Sequence, residues 1–293
     1  LDYLAQQAGG LSDDMFNEDP FQSNRSRNWF KINWLLFQAK IKHSFSDNSK
    51  LDIQLFGLNA HRDALGYRTN RVNAVDPNSH RDLISGNFKN YGIETKWLNE
   101  LNIFGKKIIL LLGSKWYSAQ NSSNQGPGST GSNPDFKFYN QENPYYSYQS
   151  NYNYPNKNLA LFSEQIFYLN KKISISPGFR YEYKNTKAIG NYKKINLDGA
   201  GNVILNNTID NSENRTRNFI LYGIGLSFKP NKSFEFYSNF SENYRSVTFA
   251  DISILNPAFS IDRNITDEKG STFDLIKKNT VYSFIIAAII VVF

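Results

Sequence analysis

One short stretch of the sequence, HRDALGYRTNRVNAVDPNSHRD (residues 61–82), is unusually rich in arginine. A guanidinium group presents a planar fork of N–H donors that matches carboxylate and phosphate oxygens, so clustered arginines can bind an anionic ligand. Arginines of a solvated loop can also pair with neighbouring aspartates, and the sequence leaves both interpretations open. The candidate ligand-binding residues are Arg62, Arg68, Arg71, Arg81 and, farther along the chain, Arg245.

The histidines and the absence of cysteine argue against several kinds of catalytic site. The chain has no Cys and three His, so thiolate metal sites and Cys nucleophiles are excluded. His61 and His80 are nineteen residues apart, a spacing that indicates no metal centre. Neither is flanked by a recognisable Ser and Asp arrangement, as a hydrolase would require. We therefore predict no metal, no cofactor and no enzymatic activity.

Two further polar stretches have chemistry of their own. The glycine-rich QGPGSTGSN (residues 125–133) lacks the strand-to-helix context and the Gly-Lys-Ser/Thr ending of a phosphate loop. The tyrosine-rich NPYYSYQSNYNYP (residues 143–155) can stack on a flat organic ligand or a sugar, or pack on itself. Neither stretch identifies a ligand.

The elements that must position these residues are strands. Eight segments alternate between apolar and polar residues, and most are long enough to cross a bilayer as a tilted strand, for which roughly 9 to 11 residues suffice. They are Trp29 to Phe45, Leu51 to Ala60, Tyr91 to Leu101, Lys107 to Ser118, Asn158 to Leu169, Ile173 to Lys184, Asn218 to Phe228 and Phe234 to Ser241.

The connections between these segments alternate between short and long. The short ones are SDNSK, NIFGK, NKK and KPNKS, which have the size and composition of hairpin turns. The long ones are His61 to Asn90, Ala119 to Lys157 and Asn185 to Arg217. Because alternate connections of an antiparallel meander lie at opposite ends, the tight turns share one end and the long loops share the other. Outer-membrane barrels have this arrangement, with short periplasmic turns and long extracellular loops.

The sequence therefore predicts an all-β fold, an antiparallel transmembrane β-barrel fragment of about eight to nine strands. In ISISPGFRYEYK (residues 173–184), Ile175 is expected to face lipid, whereas Arg180, Glu182 and Lys184 are expected to face a wet lumen. Replacement of Glu182 by Gln is then expected to be nearly neutral.

Net charge adds little to this interpretation until the charges are placed. The formal charge is +7, and ten of the eleven arginines fall at or near the predicted long-loop end, whereas lysines gather at the short turns. The anions expected outside are a charged ligand and the phosphates of the membrane lipid. We predict no nucleic-acid partner.

The segment SENYRSVTFADISILNPAFSIDRNITDEKGSTFDLI (residues 241–276) resembles the TonB-dependent outer-membrane receptors. NYRSVTFADI, NPAF and ITDEKG follow the order of motifs in that family, and PGFRYEY resembles its recurring barrel strands. YLAQQAGG, FGLNA and NQGPGSTGSNPDF are similar to receptors of the ferric-citrate type.

This resemblance implies residence in the outer membrane and import of a ferric chelate, such as ferric citrate or another ferric siderophore. It also implies a plug domain through which a periplasmic TonB-type partner supplies energy. The sequence contains no plug and fewer strands than the roughly 22 of such transporters. We predict that residues 1–275 are part of the barrel and that the apolar tail, residues 276–293, lies outside the family pattern. The chain is expected to be a truncated piece that is inactive alone.

A second functional hypothesis is a surface glycan-binding or nutrient-binding barrel, or an adhesin, that uses the tyrosine-rich stretch. A neutral sugar would be indifferent to loss of charge at Arg62, Arg68 and Arg71, so charge-removing substitutions there discriminate between the two hypotheses.

Overall fold

The structure is a computed structural model that describes residues 2–4, 11–22, 25–69, 71, 74–231, 234–242 and 282–285. Within these residues the chain forms one sheet and a single short helix, α1 (Asp13–Glu18). The strands are β1 (Asp2–Leu4), β2 (Trp29–Ser46), β3 (Ser49–Gly66), β4 (Asp82–Ile103), β5 (Lys106–Pro127), β6 (Ser150–Tyr168), β7 (Ile173–Leu197), β8 (Val203–Phe228), β9 (Phe236–Glu242) and β10 (Tyr282–Ile285).

The sheet follows chain order from β1 to β10, and all the neighbouring strands are antiparallel. The prediction of an all-β antiparallel fold is confirmed. Over the described residues β1 and β10 are the two edges and do not pair with each other, so the sheet is open. No described helix is long and apolar enough to cross a membrane.

Three of the four predicted short connections are confirmed as tight turns, and the fourth, KPNKS, lies partly outside the described residues. Between β4 and β5 the turn residues Phe104 and Gly105 have φ of 52° and 73°. Positive φ at both central residues is the geometry of a two-residue hairpin whose twist matches that of the flanking strands. β6 and β7 are joined by residues 169–172, where the Asn170 side chain accepts hydrogen bonds from the N–H groups of Lys172 and Ile173.

The predicted long loops are shorter than expected, because the strands continue into them. β4 begins at Asp82 and β5 ends at Pro127, which leaves loops 67–81 and 128–149. The prediction of a long loop from Asn185 to Arg217 is wrong, since β7 and β8 extend through it to a turn at residues 198–202. These extensions are rich in Asn, Lys and Thr, so the alternation between apolar and polar residues that predicts a strand is weak in them. The two strands nevertheless pair with each other through backbone hydrogen bonds.

Side chains of the central strands lie on two opposite faces of the sheet. The pairing register aligns the residues of each face in rows that run from strand to strand. Trp116 of β5 is opposite Ile93 of β4 and Leu159 of β6, which is in turn opposite Tyr183 of β7. Most of the exposed large apolar side chains of β3 to β8 belong to this same face. We call it the outward face and the opposite one the inward face.

The outward face of β5 is free of charge from Ile108 to Trp116. Eight residue steps of about 3.4 Å, on a strand tilted by roughly 40°, give a height of about 21 Å, close to the apolar band of outer-membrane barrels. Buried apolar side chains are few and mostly small, namely Ala60, Leu65, Leu83, Ala119, Ala160 and Ala188. Within the described residues there is no second sheet against which the apolar rows could pack.

Pro177 lies where the pairing between β6 and β7 is interrupted. It is opposite Ile224 of β8, but the β6–β7 pairing is broken between the pairs Glu164–Gly178 and Phe167–Ile175. A proline lacks the N–H that a ladder requires, so a break on one side accommodates it.

Candidate functional site

Loops 67–81 and 128–149 pack together with residues 25–28 above the ends of β3, β4 and β5. Arg27 joins the three segments: its Nε donates to Asp76 Oδ2 (2.9 Å), its Nη2 donates to Asp76 Oδ1, and its Nη1 donates to the Thr130 carbonyl oxygen (2.6 Å). The Arg27 and Asp76 side chains are 7% and 12% exposed. Burial acts to raise the pKa of Asp76, but the hydrogen bonds from Arg27 and the Asn78 N–H outweigh it and lower this pKa below 3.8.

Arg81 is the most deeply buried of the candidate arginines, at 1% exposure. Its guanidinium donates to the Arg27 carbonyl oxygen (2.8 Å), to Ser129 Oγ (2.5 Å) and to the Asn133 carbonyl oxygen (2.8 Å). Burial and the nearby charge of Arg27 both lower its pKa. The donors of Arg81 are taken by backbone and hydroxyl oxygens, so Arg81 holds loop 128–149 against loop 67–81, and a ligand-binding role for it stays a prediction.

Asp82, the first residue of β4, makes further contacts with both loops. Its carboxylate, which is almost fully buried, accepts hydrogen bonds from Arg68 Nη1 (2.7 Å), Gln125 Nε2 (2.8 Å) and the Tyr146 hydroxyl (3.1 Å). Burial, and then the neighbouring Asp82 charge, raises the pKa of Tyr146. The Arg68 side chain is 57% exposed, so it is held at one end and open to solvent at the other.

The other candidate arginines are spread over the same end of the sheet. Arg62 is exposed on the inward face of β3, and its Cζ lies 5.6 Å from the centre of the Phe88 ring. Arg71 is exposed, and its carbonyl oxygen accepts a hydrogen bond from Arg25 Nη2 (3.1 Å). Arg245 lies outside the described residues. Arg68 and Arg81 thus lie where loops 67–81 and 128–149 meet. Arg62 lies on the inward face of β3, at the same end of the sheet.

The two histidines have separate protein partners. His61 contacts Asp63 (2.8 Å) and Asn87 (2.9 Å), and His80 contacts the Gly128 carbonyl oxygen (2.7 Å). In the part of the chain that the structure describes, no three His, Cys, Asp or Glu side chains are grouped as metal ligands.

Charged side chains on the inward wall were not among the candidates from sequence. Glu182 is 8% exposed and accepts hydrogen bonds from Arg180 Nε (2.5 Å) and Asn158 Nδ2 (2.5 Å). Arg215 pairs with Glu213 at 3.1 Å, and Arg217 is 8% exposed. These arginines lie in the predicted loop from Asn185 to Arg217, and two-residue alternation through that polar stretch was the signal that could have located them on a strand. Glu182 faces inward as expected, but its carboxylate is shared by two donors, so we expect Glu182→Gln to have a small cost rather than none.

The tyrosine-rich stretch lies partly in loop 128–149 and partly on β6. Tyr152 and Tyr154 are both on the inward face, and their rings are nearly parallel with centres 5.8 Å apart. Tyr146 and Tyr148 meet edge to face at 6.0 Å. The stacking of tyrosine rings on one another is the self-packing that the sequence allowed.

Comparison with protein families gives the architecture a known context. The family model described as TonB dependent receptor-like, beta-barrel, matches residues 2–276. The chain belongs to the TonB-dependent receptor family. Its predicted resemblance to that family is confirmed, and so is the antiparallel outer-membrane barrel as its fold class. TonB-dependent receptors are transport receptors of the outer membrane rather than enzymes, and this chain is accordingly an outer-membrane protein.

Solved structures with the same fold include the ferric citrate transporter FecA in its unliganded form, with a TM-score of 0.60, 17% identity, and coverage of 83% of this chain and 32% of that one. The Escherichia coli K12 ferric-catecholate import receptor Fiu, in its open form, gives a TM-score of 0.56, 10% identity, and coverage of 75% and 36%.

The ferric yersiniabactin uptake receptor FyuA from Yersinia pestis gives a TM-score of 0.51, 10% identity, and coverage of 74% of this chain and 29% of that one. The chain thus spans about a third of the length of the solved TonB-dependent receptors that it matches. Among curated protein sequences no match was found.

Proposed function

We propose that this chain is part of the wall of a TonB-dependent receptor for a ferric chelate, and that Arg62 and Arg68 bind anionic oxygens of the chelate. The observation that carries the proposal is the exposure of two guanidinium groups at the loop end of the inward face. Support also comes from the solved receptors of similar fold, whose names specify ferric citrate, ferric catecholate and ferric yersiniabactin.

The two arginines are suited to this role in different ways. The Arg62 guanidinium lies over the Phe88 ring and makes no hydrogen bond or ion pair with the described residues, so its N–H donors are available. Arg68 uses Nη1 for Asp82 and keeps its other donors in solvent. A guanidinium that is already oriented by a neighbour loses less side-chain entropy when it binds. Arg71 and Arg245 remain candidates by their position in the sequence.

We further propose that uptake needs a plug domain and a periplasmic TonB-type partner, as the family implies, and that this chain alone does not transport. The family match ends at residue 276, which supports the proposed boundary between a barrel segment, residues 1–275, and a tail. Residues 282–285 of that tail pair with β9.

Competition binding of ferric citrate and of a ferric catecholate to the full-length parent receptor tests the proposal. Loss of a charge-assisted hydrogen bond costs about 1.5 to 3 kcal/mol, so Arg62→Gln and Arg68→Gln are each expected to weaken binding by about 10-fold to 100-fold. Lys106→Gln removes an equal charge at the tight-turn end and should leave affinity unchanged. Absence of measurable affinity for every ferric chelate would refute the substrate assignment.

A glycan-binding barrel is the second candidate, and the stacked rings of Tyr152 and Tyr154 favour it. Aromatic rings on an inward wall provide a platform for the apolar face of a sugar. Under this alternative, Tyr154→Ala abolishes binding of a neutral oligosaccharide, whereas Arg62→Gln has no effect on it. The reverse ranking of the two variants, measured with a ferric chelate, favours the first proposal.

A further inference from the structure

Charged side chains on the outward face are confined to one side of the apolar band. From β2 to β8, all the outward charged and histidine side chains except His43 and Lys106, which lie toward the tight turns, lie toward the loops. They are Lys31, His61, Asp63, Lys89, Lys157, Lys187, Lys193 and Asp210. Cations outnumber carboxylates in this set, and the carboxylate of Asp63 is already bonded to His61. The outward surface just above the band is therefore basic.

Three of these lysines have no ion-pair partner among the described residues: Lys89, Lys157 and Lys187. Lys89 and Lys157 are exposed, and Lys187 is partly exposed. Two other outward lysines are already engaged, since Lys193 donates to the Pro144 carbonyl oxygen and Lys31 lies over the Phe136 ring.

About half of the inward cations of the same strands pair with protein carboxylates. Lys40 pairs with Asp52 at 3.2 Å, Arg180 with Glu182 at 2.5 Å, and Arg215 with Glu213 at 3.1 Å. Both faces thus have cations without an ion-pair partner, and Lys89, Lys157 and Lys187 differ from the inward ones in that they lie on the outward face just above the apolar band.

The ladder register places these three lysines close together. Lys89 of β4 pairs with Gln120 of β5, which pairs with Pro155 of β6. The β6–β7 pairing is interrupted at Pro155, but the flanking pairs Asn153–Ile189 and Asn156–Thr186 put Lys187 at the same level. Lys89 and Lys187 are thus three strands apart in one row, about 14 Å at 4.8 Å per strand. Lys157 lies between them along the sheet, two residues nearer to the apolar band.

The height of this group relative to lipid follows from the adjoining rows. The row containing Trp116, Leu159 and Tyr183 is the next one toward the band from Lys157. Aromatic side chains mark the boundary between hydrocarbon and headgroups in outer-membrane barrels. The three lysines stand immediately outside that boundary, at the level of the lipid headgroups.

We propose that Lys89, Lys157 and Lys187 form a docking surface for the phosphate groups of an outer-leaflet lipid, which lies along β4 to β7. An ammonium group is a compact point charge that binds phosphate without requiring a fixed geometry. Basic side chains near an anionic membrane surface strengthen its attraction by about fivefold each. The proposal depends on the chain being an outer-membrane barrel and is independent of the ligand proposed above.

Lipid retention by the full-length parent receptor tests this surface. The receptor is reconstituted in nanodiscs of phosphatidylcholine with a small fraction of phosphorylated lipid A, and bound lipid A is counted by native mass spectrometry. The triple variant Lys89→Gln, Lys157→Gln, Lys187→Gln is expected to retain at least about tenfold less lipid A than the wild type. Lipid A without phosphates should be retained weakly and equally by both proteins.

Two control variants test whether position or charge alone determines lipid retention. Lys106→Gln, Lys171→Gln, Lys172→Gln removes the same charge at the tight turns and should retain lipid A like the wild type. Replacement of the three docking lysines by Arg keeps the charge and should restore retention. If the docking variant folds and retains phosphorylated lipid A as well as the wild type, or if removal of the phosphates changes nothing, the proposal is overturned. Competition by free inorganic phosphate at millimolar concentration would also contradict a lipid-specific surface.

Discussion

The outward and inward faces of the same strands follow opposite rules for charge. Across the apolar band the outward face has none, so Ile224 and Leu226 of β8 are flanked by other apolar or small side chains. The inward face carries acids and bases at the same depth, but most of its carboxylates are shared, as Glu182 is by Arg180 and Asn158. The outward face therefore excludes charged side chains from the apolar band, whereas the inward face carries them and pairs many of them.

The largest expected effect comes from placing a charge on the wrong face. Ile224→Arg puts a guanidinium in the middle of the outward band of β8 and should destabilise the parent barrel by about 2 to 4 kcal/mol. Ser176→Arg is the matched control, because Ser176 points inward and pairs with Gly225, the neighbour of Ile224. Urea unfolding of both variants in lipid vesicles measures the difference.

Equal losses of unfolding free energy for these two variants would contradict the assignment of the two faces. They would mean that the outward face is not in hydrocarbon, and that the apolar rows contact protein or water instead. A large penalty at Ser176 alone would indicate that the faces are assigned the wrong way round.

The pairing rule extends from the inward wall into the loops, and Arg81 is its strongest test there. Arg81→Met preserves much of the side-chain length but leaves the Arg27 and Asn133 carbonyl oxygens and Ser129 Oγ without this donor. An unsatisfied buried acceptor costs about 1 to 3 kcal/mol, so loop 128–149 should open more readily. Hydrogen exchange of residues 128–133 should rise at least about fivefold, with no change in β5 between Ile108 and Trp116.

A smaller effect is expected at Glu182 in the wall itself. Glu182→Gln keeps the shape but replaces one accepting oxygen by an N–H₂ group that faces the donor of Arg180 or Asn158. Because Arg180 is partly exposed, water can compensate in part, and the cost should be about 1 kcal/mol. Thermal unfolding of the parent barrel should therefore show a modest decrease in its midpoint temperature.

The sequence was most informative where the bilayer imposes alternation. Trp29 to Phe45 was predicted within one residue of β2, because each of its faces meets a different solvent. It was least informative beyond the band, where both faces meet water and alternation of hydrophobicity fades. Thus the sequence predicts a loop from Asn185 to Arg217, where the backbones of β7 and β8 pair with each other up to the turn at residues 198–202. Arg81 illustrates a related limit of composition: arginines are equally compatible with anion binding and with contacts that hold loops together, and only the structure shows that Arg81 is buried.

The smallest effect concerns Asp76, which should matter only in acid. Its pKa in the folded loop is lowered below 3.8, so the unfolded loop binds a proton first. The carboxylate therefore stabilises loop packing at and above the ordinary pKa, and this contribution is lost as the pH falls through the folded value. Pepsin cleavage of loop 67–81 in the parent receptor should accelerate over that window, relative to Asp76→Asn, whose side chain does not titrate. Parallel profiles for the two proteins would show that Arg27 is held by its carbonyl contact with Thr130 rather than by the charge of Asp76.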